Sequence, residues 1–142
     1  MKNFIIAVLV LIIVIGGSFI ISVFNEKDYD FIDINISNYL TIKKENKRSI
    51  IYIYKEGCEY CEKETPLLKE VGKKYNLKIY QLNFSLLSMK DQKTLMESDE
   101  YLKKGYSVPL IMLTKNDKGI AFLKGFHETN DIIMFFEEQD IL

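Results

Sequence analysis

Twenty-one consecutive residues near the N-terminus, Phe4–Phe24 (FIIAVLVLIIVIGGSFIISVF), carry no charge. A helix rises about 1.5 Å per residue, so a run of this length spans roughly 30 Å, the thickness of a bilayer's hydrocarbon core. A domain made from the rest of a 142-residue chain has no room to bury it. Lys2 precedes the run, and Glu26, Asp28 and Asp30 outnumber Lys27 after it. The positive-inside rule then keeps the N-terminus in the cytoplasm and exports the remainder. A cleaved signal peptide is the competing reading, with Phe4–Ile15 as its apolar region and Gly16-Gly17-Ser18 as its small residues. Cleavage there would leave Phe19–Phe24 as a greasy new terminus, which favours the uncleaved anchor. Cys58 is the first cysteine, too distant from the run for a lipoprotein anchor. The expected organisation is therefore an anchor or signal segment, residues 1–25, and one extracytoplasmic domain, residues 26–142, on the outer face of the cell membrane.

Nineteen basic against 20 acidic residues give a formal charge of −1, which lacks the basic excess that nucleic acid requires. From Phe31 onward, strand-like and helix-like patterns alternate. Phe31–Ile36 alternates apolar and polar residues, as a half-buried strand does. Ser37 is a candidate cap for a short helix to about Glu45. Ser49–Tyr54 (SIIYIY) is continuously apolar, β-branched or aromatic after its first residue, the pattern of a central strand buried on both faces. Cys58 to about Tyr75 reads as a helix, Leu77–Phe84 as a strand, and Ser88–Lys104 as one partly exposed helix. Pro109–Thr114 and Gly119–Lys124 flank the turn-like Lys115-Asn116-Asp117-Lys118 and predict a hairpin. Thr129 or Asn130 is a candidate cap for a last helix ending near Asp140. The order β-α-β-α-β-α-β-β-α predicts an α/β fold, a three-layer α/β/α arrangement around a mixed sheet.

Both cysteines fall in one C-x-x-C, Cys58-Glu59-Tyr60-Cys61. On the first turn of a helix two such sulfurs share a face and can close a disulfide. The free N–H groups and positive dipole end there favour a thiolate. Cys58, at the tip, is the expected nucleophile, and Cys61, one turn inside, the residue that resolves a mixed disulfide. Half a zinc site is a weaker reading, since no second cysteine pair exists. Copper would call for His or Met ligands nearby, and the only histidine is the distant His127. A purely structural bridge would close a loop too short to stabilise much. The redox reading calls for no metal and no cofactor.

The stretch Tyr54–Pro66 (YKEGCEYCEKETP) resembles the active-site region of the thioredoxin superfamily, with Pro66 five residues after the second cysteine. Val108-Pro109, leading into LIML, is similar to the family's cis-proline step, and Gly125 to a glycine common after its last strand. The resemblance covers roughly Phe31–Leu142. It implies a thioredoxin-like fold and a thiol–disulfide oxidoreductase, with Val108 pairing to substrate backbone beside Pro109. Read without the resemblance, Pro109 is better explained as a trans proline opening an edge strand. Tyr60 either packs over the sulfurs, contacts substrate, or is one exposed aromatic. The implied partners are exported polypeptides with thiols or disulfides, and a redox partner protein. The chain also resembles small membrane-anchored members of the bacteriocin transport accessory type, a likeness that admits a non-enzymatic accessory role in peptide export.

The chain departs from thioredoxins proper at three points. Gly57 precedes Cys58, the inner pair is Glu-Tyr, and Tyr52 stands where the family has a buried acid, six residues before the first cysteine. Glu56 or a water is the expected substitute acceptor. Glu59, Glu62 and Glu64 crowd the helix start, where they suit the dipole and oppose a thiolate. His127 is expected at the surface rather than as a base.

Overall fold

The computed structural model describes residues 29–142. The expected membrane segment, Phe4–Phe24, and the boundary at residue 25 lie outside the described residues. Among the described residues no helix is long and apolar enough to cross a membrane.

Strand β2 (Ser49–Tyr54) is the centre of the molecule, and five of its six residues are buried. β3 (Ile79–Asn83) lies parallel to it on one side, with Ile51 opposite Tyr80, and β4 (Leu110–Lys115) antiparallel on the other, with Tyr52 opposite Ile111. β1 (Ile32–Asp33) runs parallel to β3, and β5 (Lys118–Lys124) antiparallel to β4. The sheet order is β1-β3-β2-β4-β5. Because strand side chains alternate, β2 serves two cores. Ile50 and Tyr52 meet Leu68 and Val71 of α2 (Glu59–Lys74) and Ile132, Phe135 and Phe136 of α5 (Thr129–Glu138). Ile51 and Ile53 face the other way, toward Tyr39 and Ile42 of α1 (Ile36–Lys43), Leu95 of α3 (Met89–Glu97) and Leu102 of α4 (Glu100–Lys103). Two helices on one face and three on the other make the three layers expected from the alternating pattern.

The differences from the expected elements have local causes. The first strand ends at Asp33 because Asn35 caps α1: its side chain accepts from the Asn38 N–H while Asn38 returns a bond to the Asn35 N–H. Ser37 is thus inside the helix. The expected helix over Ser88–Lys104 is two, since Asp99 caps a new start by accepting from Tyr101 N–H. The third strand stops at Asn83, whose side chain caps a short 3-10 turn, Phe84–Leu86. Glu128 precedes α5 in the cap position, without a side-chain cap bond. The hairpin closes through Asn116 and Asp117 alone, both in the left-handed region at φ 52° and 63°, the two-residue geometry that matches strand twist.

Lys43 is almost wholly buried and joins the end of α1 to two loops. Its Nζ donates to the carbonyls of Ser98 at 2.7 Å and Asp117 at 2.6 Å and lies 3.8 Å from Asp99 Oδ2. At the start of the described residues, Tyr29 lies against α2. Its hydroxyl donates to the Leu77 carbonyl at 2.9 Å, and Asp30 pairs with Lys69 at 2.6 Å. Burial pushes the Tyr29 phenol up to about 12.

Candidate active site

The chain leaves β2 at Tyr54 and must turn sharply to start α2. Gly57, at φ +68°, takes a left-handed conformation that a side chain resists. Cys58 follows as the N-cap: its sulfur accepts from the Cys61 N–H at 3.2 Å, and its carbonyl takes the first helical bond, from Glu62 N–H at 3.0 Å. The helix thus begins at Glu59, one residue later than expected, with Cys58 outside it. Cys58 and Cys61 form a disulfide, with Cα atoms 5.2 Å apart. Cys58 is half-buried and Cys61 is 1% exposed.

The second part of the site comes from the start of β4. The Val108–Pro109 peptide bond is cis, and the Val108 carbonyl lies 4.0 Å from the Cys58 sulfur. Gly125, at φ +85°, follows β5 and donates its N–H to the Pro109 carbonyl at 2.9 Å. Two segments about 50 residues apart in sequence are thereby brought onto one side of the disulfide. Tyr60 points outward at 58% exposure and packs on Phe126, with ring centroids 6.2 Å apart. It joins the rim of the site rather than covering the sulfurs. On the other flank Tyr54, Gly57, Cys61, Thr65 and Pro66 line an open groove of about 450 Å³.

Pro66 lies inside α2, where it lacks the N–H that would bond to the Glu62 carbonyl. One residue earlier, Thr65 Oγ1 donates to the Cys61 carbonyl at 2.7 Å, and the Tyr52 hydroxyl donates to the same carbonyl at 3.3 Å. Tyr52 is fully buried, and burial holds its phenol well above the usual range. It anchors the helix start and has no basic form at neutral pH. Glu56, an expected substitute acceptor, is exposed and instead accepts from the Asn83 side chain at 2.7 Å.

The three glutamates expected along the helix start divide. Glu59 is exposed and pairs with Lys63 at 2.6 Å, which holds its carboxyl below the usual range. Glu62 is also exposed. Glu64 is 0% exposed. Its Oε2 accepts the His127 backbone N–H at 2.8 Å, and desolvation pushes its carboxyl up to about 7 despite that bond. The reading of Glu64 as a charge that suits the helix dipole is therefore corrected. The signal that finds it is spacing: Cys61, Glu64, Leu68 and Val71 fall on one helical face, and all four are buried. His127, expected at the surface, is half-buried, and its backbone holds Glu64 while its ring sits 3.2 Å from the Lys124 carbonyl.

No protein-family model matches the chain. Solved structures do. Thioredoxin f2 of Chlamydomonas reinhardtii superposes with a TM-score of 0.62 at 14% identity, over 80% of this chain and 99% of that one. The fold is that of thioredoxin. Oxidised thioredoxin from Plasmodium falciparum gives 0.60 at 17% identity, over 78% and 98% of the two chains. Thioredoxin from Trypanosoma brucei brucei gives 0.58 at 10% identity, over 82% and 95%. In this chain the C-x-x-C disulfide stands at the β2–α2 junction of that fold, beside the cis-proline step.

Proposed function

We propose that this chain is a membrane-tethered, extracytoplasmic thiol–disulfide oxidoreductase that forms, reduces or reshuffles disulfides in exported polypeptides. The observation that carries the reading is the asymmetry of the Cys58–Cys61 bridge, one sulfur at the accessible helix tip and one buried behind it. In the reducing direction the Cys58 thiolate attacks a substrate disulfide. A Cys58–substrate bond forms, and the other substrate sulfur leaves as a thiolate and takes a proton. Cys61 then loses its proton and attacks Cys58, which releases the second substrate sulfur. The pair is oxidised by two electrons and the substrate disulfide reduced by two. Substrate oxidation is the same sequence reversed. Val108 and Pro109 present backbone beside Cys58 for an extended substrate segment, and Tyr60 supplies an apolar contact at the rim. The uncharged Phe4–Phe24 run supports the tether, and the likeness to accessory proteins of bacteriocin export supports exported peptides as the substrate class.

Replacing Cys61 by Ser tests this. Cys58 then forms mixed disulfides that nothing resolves, so thiol-linked adducts of exported polypeptides accumulate on the variant and disappear on reduction. The Cys58→Ser chain forms none. Equal adduct levels on both variants, or none on either, refute the reading.

A further inference from the structure

A carboxyl enclosed by protein either ionises against hydrogen-bond donors or holds its proton. Glu64 has one donor, the His127 N–H on Oε2, while its Oε1 is enclosed and has no partner among the described residues. Orphaned buried oxygens are uncommon in folded proteins and call for a reason. Glu64 follows Cys61 by three residues on α2, and side chains so spaced are neighbours with Cβ atoms about 5–6 Å apart. Cys61 is the other buried group of that helical turn that can exchange a proton. Among the groups on the packed elements, Tyr52 of β2 senses the Glu64 charge, but its hydroxyl is engaged by the Cys61 carbonyl and Thr65. From the segment before α5, His127 presents its backbone to Glu64 and its ring to Lys124 and Asp131. On α2 itself, Glu59, Glu62 and Lys63 are exposed.

We propose that Glu64 is the acid–base partner of Cys61. The assignment rests on the redox reading above. As Cys61 attacks the mixed disulfide, its S–H proton passes to Oε1, directly or through one water. The Cys61–Cys58 bond forms, the Cys58–substrate bond breaks, and the substrate sulfur leaves with the electron pair and is protonated from Glu64 or solvent. In the opposite direction Glu64 returns the proton to Cys61 as the bridge opens. A carboxyl that titrates near neutrality is suited to both directions.

The test uses the reduced full-length chain and the aryl disulfide 5,5′-dithiobis(2-nitrobenzoate) in stopped flow. The first aryl thiolate released reports attack by Cys58, and its rate scales with reagent. The second reports resolution by Cys61, and its rate does not. In wild type the second rate bends near pH 7. Glu64→Gln, which retains an acceptor for His127, slows the second step tenfold or more at pH 7, removes that bend and leaves the first step within twofold. Unchanged resolution at every pH, or equal slowing of both steps, overturns the assignment and leaves the redox reading standing. A wild-type chain that never releases a second thiolate overturns both. Should Glu64→Gln not fold, the side-chain carboxyl carbon of Glu64 is titrated by NMR in the wild type. Different midpoints in the oxidised and reduced states support the assignment, and identical midpoints overturn it.

Discussion

Replacing Glu64 by Gln in the oxidised chain removes one ionisable group from the α2–α5 side of the core and keeps its shape. The cysteines are bridged, so no thiol titrates beside it. In the unfolded chain Glu64 titrates at its ordinary value of 4.5, and in the fold at about 7. Between those values the native form holds a proton that the unfolded form has released, so stability is greatest below pH 4.5 and falls as the pH rises through about 7. Each pKa unit is worth about 1.4 kcal/mol, which puts the whole loss at roughly 3 kcal/mol. Gln has no such loss. The difference in unfolding free energy, variant minus wild type, should therefore grow in favour of the variant by most of that amount between pH 5 and pH 8. With a urea slope of about 1–1.5 kcal/mol/M for a domain this size, that is a midpoint gap of roughly 2 M. Urea titrations followed by far-UV circular dichroism measure it directly. Because only the difference between the two proteins is used, the other carboxylates cancel. Parallel stability curves across this range would show that Glu64 is ionised and solvated in the fold, contrary to its enclosure.

Two further outcomes are expected. Lys43→Met leaves the Ser98 and Asp117 carbonyls without their buried donor and removes the positive charge beside the buried Asp99 carboxylate, at a cost of about 3–5 kcal/mol. A fall in Tm of roughly 10 °C or more with unchanged Cys58 reactivity is the expected result, and a fall of only a few degrees speaks against the buried contact. Gly72→Ala gains about 1 kcal/mol of helix propensity, yet its Cβ would run into the Tyr29 ring and displace it from the Leu77 carbonyl. Destabilisation of about 1–2 kcal/mol is expected, much reduced in a Tyr29→Ala background; an additive double mutant would deny the contact.

The layers and the dithiol were legible because their signals are periodic or local. SIIYIY can be satisfied only by burial on two faces, and the C-x-x-C carries its own geometry. Helix ends were less legible, since caps depend on individual side-chain bonds. Asn35 took the cap expected of Ser37 because it forms a reciprocal pair with Asn38. Asp99 split one expected helix because its carboxylate also reaches Gly119 N–H across the fold, at 2.8 Å. Glu64 was misread for a related reason. Its charge fits the dipole at a helix start, and only its alignment with Leu68 and Val71 gives its burial away. The hold of His127 on Glu64 is a backbone contact over 63 positions, which residue types alone do not encode.

The way Tyr29 and Asp30 grip α2 has a mechanical consequence. Tyr29 is fastened at Leu77, beyond the C-terminal end of a 16-residue helix, whereas Cys58 caps the opposite end. At about 1.5 Å per residue those extremities stand roughly 24 Å apart. The described chain therefore enters the fold at the end of α2 remote from the sulfurs, and a pull applied at Tyr29 would be borne by the Leu77 and Lys69 contacts rather than by the disulfide.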